Sequence, residues 1–530
     1  GRDCTPRGAK ARALLAMLCQ TPDHRRPRRW LESRLWSDRG AEQASGSLRQ
    51  ALTELRKSLG KGAAQLLADR DFVGLSGFTT DLDQDPADAR EALQNGREFL
   101  EGIDIVDGAF LDWLAEERAR VAIHLGLVAA KTPVAGDTER RPPFVLRLGA
   151  VPDGPGAFIA RDLAQAIARL TAEFLLIDVF DASGDGNLED LPPGGLELLV
   201  EGAWIQDRAH LMVSLIARDR RRTLWSQRLT ASRVEDVAEG LGEVPSVVFE
   251  AAEAATMQMV KLAETDPGLA VQVNARIARA MAAMFTYDAD RLREADRLLA
   301  EAEAMMPSDR IYAWRSLVRQ IMFVEQTEPD PEPLRAESDA FARRALELSD
   351  GTPLVLALVG FTRVMVDENP EAGTVLSRDA VRRSPFNPFG FWAMTAASIR
   401  LERTDEALAL ARRGVEIASR TPIVHSWEGL AGLAALRGGH LSRAIAHYEA
   451  AWSRAPKFRA AMRNLLFLYL WAGERDKAAR VCRGLLLAEP GFTLDRITNQ
   501  PGYPAVTLRK SGLLETFGPQ LAGLLEELDA

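Results

Sequence analysis

Residues 425–456, HSWEGLAGLAALRGGHLSRAIAHYEAAWSRAP, and residues 462–490, MRNLLFLYLWAGERDKAARVCRGLLLAEP, follow one plan: helix, Gly-bearing turn, Ala-rich helix, proline. Pro388, Pro422, Pro456 and Pro490 each stand 34 residues apart. Ala372, Ala407, Ala444 and Ala478, near the start of each second helix, recur at spacings of 35, 37 and 34. A helix pair of this length cannot bury its apolar face alone, so successive pairs must stack and share a core. Earlier units, ending near Pro307 and Pro353, are degenerate copies.

This arrangement resembles the tetratricopeptide repeat, and it accounts for residues 270–530. The fold expected there is a superhelix whose concave face docks a protein segment. Ala444 and Ala478 should sit where helices cross closely, and Trp427 and Trp452 should pack between repeats rather than cage a ligand.

Upstream the rhythm changes. Residues 131–143, KTPVAGDTERRPP, lack periodicity and read as a linker. Between 143 and 265, strands at Phe144–Val151, Phe174–Phe180, Leu196–Ala203, His210–Arg218 and Thr223–Thr230 surround a helix at Ala157–Leu170. A helical stretch, Val234–Lys261, follows and is interrupted near Pro245. The expectation is a small α/β domain that senses a ligand or dimerises. Residues 183–195 form a surface loop, and 325–333, EQTEPDPEP, a loop between helices.

The first 80 residues begin with Ala9–Gln20, carrying Leu14, Leu15, Leu18 and Cys19 on one face. Pro27 opens a second helix, RRWLESRLW, which buries Leu31 and Leu35. Ala44–Gly60 is a third, with Ala44, Leu48, Leu52, Leu55 and Leu59 at helical spacing and Gly60 as its C-cap. LLADRDFVGLS then reads as two strands around the turn Asp69–Asp71. Three helices and a hairpin form the winged-helix order.

Charge singles out this head. Residues 1–62 hold 14 Lys and Arg against 6 Asp and Glu, residues 63–130 hold 5 against 14, and the whole chain carries −9. A basic head on an acidic body attracts polyanions while the body repels them. On the third helix, the face opposite the leucines carries Ser45, Arg49, Thr53 and Arg56, flanked by Gln50 and Lys57. Arg and Gln can read base edges in a major groove, and Ser, Thr and Lys can hold phosphates. Arg25, Arg26, Arg28 and Arg29 are placed as backbone clamps, and Arg70 at the hairpin tip could reach a minor groove.

The set RGAKARALLAMLCQ, WLESRLWSD, SLRQALTELRKSLG and LLADRDFVGLS resembles the winged-helix domain of the Streptomyces antibiotic regulatory protein family, whose fold is the OmpR-type winged helix. DGAFLDWLAEERARV (107–121) is similar to the start of that family's bacterial transcriptional activation domain, giving a helical segment over 81–130. The resemblance covers about residues 7–125. It implies a recognition helix at Ser45–Leu59 with Ser47, Arg49, Gln50, Thr53 and Arg56 on its DNA-contacting face. The family's domain opens with a small β-sheet, and only a few residues precede Lys10 here, so the winged helix expected is N-terminally trimmed. The segment 196–229 resembles the α/β domain found between winged helix and helical repeats in some regulators.

Other chemistry finds little support. There is no G-x-x-x-x-G-K-[ST] and no H-E-x-x-H. Gly149–Gly156 lacks the Lys and glycine order of a phosphate loop. Asp181–Asn187 opens like a calcium loop, but its twelfth position is Pro192. His440 and His447 lie two helical turns apart with no third ligand. No catalytic residue, cofactor or metal is expected. The longest apolar run, Pro353–Phe361, is far below the ~18 residues a spanning helix needs. Three cysteines without paired spacing fit a reducing cytoplasm.

The reading is a mainly α, multidomain, cytoplasmic bacterial transcription regulator. Its partners would be double-stranded DNA at the head, RNA polymerase or an effector protein at the repeats, and, as an option, a second copy in a homodimer. The rivals are an interaction scaffold without DNA binding, and a small-molecule receptor or undetected enzyme in the α/β segment.

Overall fold

The computed structural model describes residues 4–20, 24–37, 39–70, 72–78, 80, 97, 99–103, 105, 107–110, 113–114, 117–118, 141–151, 155–183, 191–205, 208–219, 221–231, 240, 242–328, 330–366, 369–500 and 502–529. The chain divides into two compact units, Gly1–Ala135 and Gly136–Ala530. The linker read at 131–143 falls mostly outside the described residues, as do much of the loop 183–195 and of the helical segment 81–130.

In the first unit α1 (Ala9–Cys19), β1 (Arg25–Pro27), α2 (Arg28–Leu35) and α3 (Ala41–Leu59) precede a 3-10 turn, Gly60–Gln65, and the strands β2 (Leu66–Ala68) and β3 (Phe72–Leu75). The sheet is antiparallel in the order β1-β3-β2. Leu14, Leu18, Leu31, Leu35, Leu48, Leu52 and Leu55 close over Val73 and Leu75. The helical spacing of those leucines is what folds α1 to α3 into one layer. Gly60 ends α3 in the left-handed region (φ +56) and returns its N–H to the Arg56 carbonyl.

Pro27 differs from its sequence reading. It closes strand β1, where Arg26 faces Val73, and the helix begins one residue later. β1 is an edge strand, so the donor that proline lacks is not missed. Arg25–Pro27 is too short and too charged to show alternation in sequence.

Ile105, Phe110, Trp113 and Leu114 pack on the same core. Asp107 anchors this stretch, accepting from the backbone N–H (3.0 Å) and hydroxyl (2.8 Å) of Ser37.

The second unit opens with a five-stranded mixed sheet, β4 (Pro143–Leu148), β5 (Asp178–Asp181), β6 (Leu196–Ile205), β7 (Arg208–Ala217) and β8 (Arg222–Ala231), in the order β5-β4-β6-β7-β8. β4 runs parallel to both of its neighbours, and β6, β7 and β8 form an antiparallel meander. Phe144, Leu146, Leu198, Val200, Leu211, Val213 and Leu215 alternate onto one face, against α4 (Pro155–Phe174) and α5 (Val244–Leu262).

FLLIDVF, read as a buried strand, is divided differently. α4 runs through Phe174, and only Asp178–Asp181 pairs, at the sheet edge. The intervening Leu175–Ile177 is buried without a strand ladder. Asn274 substitutes for the ladder, accepting from the Leu176 N–H (2.8 Å) and donating to its carbonyl (2.9 Å). A short apolar run does not reveal which of these arrangements it takes. Pro245 lies in the first turn of α5, where its missing N–H is tolerated, and residues 234–239 of the helical stretch read before it lie outside the described residues.

Six helix pairs follow among the described residues. They are α6 (Leu269–Met284) with α7 (Ala289–Met305), α8 (Asp309–Val324) with α9 (Glu332–Leu348), and α10 (Pro353–Met365) with α11 (Pro370–Arg383). Next come α12 (Pro388–Arg400) with α13 (Thr404–Ala418), α14 (His425–Arg437) with α15 (Leu441–Arg454), and α16 (Arg459–Ala472) with α17 (Arg475–Ala488). The first helices of neighbouring pairs also touch, α8 with α10, α10 with α12 and α12 with α14. α18 (Leu494–Asn499), α19 (Val506–Lys510) and α20 (Leu513–Asp529) complete the chain, α20 lying on α16.

Ala407, Ala444 and Ala478 are fully buried near the start of their helices, as their spacing requires. Ala372 is only half-buried, and the close crossing belongs to Gly373, where a Cβ would stand 2.8 Å from the Gly360 carbonyl. With Gly373 in place of Ala372 the first interval becomes 34 as well. Trp427 is core, donating to the Pro388 carbonyl at 2.9 Å, whereas Trp452 is partly buried at the margin.

The sheet layer and the repeats share one core. Phe174 and Phe249 from α4 and α5 meet Trp314, Phe389 and Trp427 from the repeats, with ring centroids 5.0–6.4 Å apart. Arg310 reaches back from α8 to the carbonyls of Ala172 and Glu173 (both 2.9 Å), satisfying the end of α4.

Candidate functional sites

Among the described residues, each unit has a place that gathers side chains with binding chemistry. In the first unit the polar face of α3 and the β2–β3 turn form an open groove of about 580 Å³. It is lined by Arg28, Ser45, Arg49, Thr53, Arg56 and Arg70, with Leu52, Ala68 and Asp69. The helical period creates this face: Ala44, Leu48, Leu52 and Leu55 turn inward, which leaves Arg49, Thr53 and Arg56 in solvent.

Asp69 organises the hairpin. Its carboxylate accepts from the Phe72 N–H (2.7 Å) and from Arg25 (3.0 Å), and its carbonyl accepts from Arg28 (3.2 Å). Arg28 is thereby drawn to the groove. The lining holds four guanidinium groups and one carboxylate, a cationic trough.

Of the residues proposed from sequence, Arg28, Arg49, Thr53, Arg56 and Arg70 come together in this groove. Arg29, Gln50 and Lys57 are exposed beyond its lining. Ser47 is engaged elsewhere, accepting from Arg39 (2.9 Å) and donating to the Gln43 carbonyl (2.8 Å). The Thr53 hydroxyl donates to the Arg49 carbonyl (2.9 Å), and Arg26 stacks on Trp30.

In the second unit, the first helices of successive pairs line a mostly apolar cavity of about 180 Å³. Residues 504–508 and Lys510, in and before α19, form part of its wall. A buried polar network holds that C-terminal stretch in place. Arg463 donates twice to one oxygen of Glu489 (3.0 and 2.9 Å), and the Tyr503 hydroxyl donates to the other (2.9 Å). Glu325, buried at the end of α8, accepts from the Arg459 N–H (2.7 Å), and burial pushes its carboxyl up to about 7. Neither the cavity nor this network was foreseen. The only trace in sequence is polar residues such as Gln320, Glu325 and Arg463 within apolar helical stretches.

His447 is paired with Glu428 (2.5 Å), and no group of three metal-ligating residues occurs among the described residues. Residues 152–154 of the phosphate-loop candidate and 184–187 of the calcium-loop candidate lie outside the described residues, and Gly149 lies against the Glu201 side chain.

Residues 435–494, covering α15, α16 and α17, match the tetratricopeptide repeat family. These three helices carry a tetratricopeptide repeat match. No curated protein matches the chain. Among solved structures, the chain is similar to YrrB, described as a tetratricopeptide protein with an unusual peptide-binding site, at 18% identity over 36% of this chain and 93% of that one, with a TM-score of 0.23. It is similar to a chain of the anaphase-promoting-complex assembly Cut9–Hcn1 at 11% identity, over 52% of this chain and 51% of that one, with a TM-score of 0.36. The human IFIT1 dimer with m7Gppp-AAAA aligns at 15% identity over 52% of this chain and 70% of that one, with a TM-score of 0.35. No described helix is long and apolar enough to cross a membrane.

Proposed function

We propose that this chain is an interaction protein whose tetratricopeptide repeats dock a protein partner. The carrying observation is the run of stacked pairs from Leu269 to Ala488, which builds one continuous surface from first helices. Repeats of this kind recognise extended or helical segments along such a surface.

A second reading makes it a DNA-binding transcriptional regulator, as the resemblance to the antibiotic regulatory protein family implies. The observation favouring it is the cationic groove that brings Arg28, Arg49, Thr53, Arg56 and Arg70 together beside a three-helix, three-stranded head. α3 would enter a major groove and the β2–β3 hairpin would lie alongside as the wing. RNA polymerase is then the partner the repeats would engage, in a cytoplasmic regulator with an option of homodimerisation.

Fluorescence anisotropy of the full chain on labelled genomic DNA fragments separates the readings. The regulator should bind with affinity that falls steeply with salt, with a log–log slope of about −0.9 per phosphate neutralised. Absence of binding at low salt leaves the interaction scaffold. Sedimentation of the full chain with purified bacterial RNA polymerase tests the proposed partner, and no co-migration removes it.

A further inference from the structure

The cavity among the repeats has a buried end and an exposed end. Of the residues that line it, Tyr287, Phe361, Trp392 and Phe458 are buried, whereas Val506 and Lys510, both on α19, are exposed. Its mouth therefore lies beside α19. The space, about 180 Å³, is comparable with the apolar cavity of about 150 Å³ known to admit a benzene ring.

Cations gather at that mouth. Arg400, Arg437 and Lys510 are the last residues of α12, α14 and α19, and all three line the cavity. Lys510 (3.3 Å) and Arg437 (3.0 Å) both reach the carboxylate of Glu402, which holds them side by side, and Arg400 lies two residues before it in the chain. Glu402 is well exposed, so water competes for it. Glu325, the carboxylate within the lining, is buried and matched by Arg459 and Arg463. Three cations against Glu402 alone leave the mouth positive. A cation at the end of a helix offsets the negative pole of its dipole, which accounts for each one singly. Their convergence on the opening of an apolar cavity adds a second property: the place attracts an anion whose body prefers to leave water.

We propose that this cavity binds a small carboxylate whose apolar body is about the size of a benzene ring. The body lies among Tyr287, Phe361, Trp392 and Phe458, and the carboxylate stays at the mouth against Arg400, Arg437 and Lys510. A charge held at the exposed end keeps part of its hydration, so entry of the body does not strip it. This is a small-molecule site inside the repeats, separate from the DNA and protein partners proposed above and from any ligand of the sheet segment.

Phenylacetate, phenylacetamide and phenethylamine share one apolar body and differ in charge. Calorimetric titration of the full chain should show phenylacetate binding and the amide binding about tenfold more weakly, the worth of one charge-assisted hydrogen bond. The amine should bind more weakly still. Added salt should weaken phenylacetate and leave the amide unchanged. Lys510→Gln, at an exposed position, should lower phenylacetate affinity toward that of the amide. Glu402→Gln, which removes the competing carboxylate, should raise it. Leu433→Trp, which fills the cavity, should abolish binding of both probes while keeping the parent's far-ultraviolet dichroism. The proposal is overturned if phenylacetate does not bind, if acid and amide bind equally, or if Lys510→Gln and Glu402→Gln both leave phenylacetate affinity unchanged.

Discussion

The head and the repeats place their candidate binding residues differently with respect to their packing. In the head, α3 turns its leucines inward and its arginines outward, so the candidate surface and the core share a helix and only the side chain of Leu52. In the repeats, Tyr448, Trp392 and Phe458 belong to the core and line the cavity at once. Chemistry and stability are therefore separable in the head and coupled in the repeats. Substitutions that test function in one region will disturb the fold in the other.

The contrast is greatest at Arg463. Its side chain is 1% exposed and its charge is met by Glu489. Arg463→Ala should destabilise the second unit by about 3–5 kcal/mol, because it leaves the buried Glu489 carboxylate with only Arg496, 3.6 Å away, as a cation. Denaturant unfolding of the full chain reads this directly. A loss below about 1 kcal/mol would separate stability from the network and weaken the contrast.

Packing within the repeats gives the next effect. Ala444→Leu should overpack a crossing and lower stability by about 1–3 kcal/mol. Ala372→Leu should stay within about 0.5 kcal/mol, since that position is half-buried and Gly373 holds the close approach. Equal effects would mean that the crossing has been misplaced by one residue.

Acidity adds a pH dependence confined to the second unit. Burial pushes the Glu173 carboxyl up to about 7, against hydrogen bonds from Ser384 and Asn387 that pull it down. The folded chain then holds this proton more tightly than the unfolded chain, whose value is near 4.5. Stability from this group is full below about 4.5, declines as pH rises to about 7 and is level above it, by about 1–3 kcal/mol in total. Glu173→Gln should flatten part of that decline, with Glu325 supplying a further part of the same sign. Unfolding at pH 5 and pH 8 measures both. A parent more stable at pH 8 would reverse the sign.

The smallest effect on stability is expected in the head. Arg49→Ala and Arg56→Ala should leave the unfolding midpoint within about 0.5 kcal/mol of the parent. If the groove binds DNA, each should weaken binding by about 1–3 kcal/mol if it reads a base, or lower the salt slope by about one if it holds a phosphate. Variants that bind every sequence like the parent would take α3 out of the DNA-binding reading.

Legibility followed the range of the forces involved. Leu48, Leu52 and Leu55 mark α3 by local period alone, and the 34-residue prolines mark the repeats. Pro27 was misread because a proline serves an edge strand and a helix start equally well. The FLLIDVF run was misread because its decisive partner, Asn274, lies 98 residues away. The groove was largely visible as charge on one helix face, although Ser47, which the family resemblance implied, is instead held by Arg39. The cavity could not be read at all. Its walls come from residues spread from Tyr287 to Lys510, and no local period marks such a set.

Arg310 on the α4 carbonyls, with the aromatic cluster beside it, has a mechanical meaning. A repeat array is ordinarily a chain of equal links that can open from either end. Here the end next to the sheet is pinned, and the far end is tied back to α8, where Glu325 accepts from the Arg459 N–H and the Val324 carbonyl accepts from Arg463, so tension along the array would load these ties before any link opened. The array behaves as a spring clamped at one foot and looped back on itself at the other, stiff where a longer open array would yield.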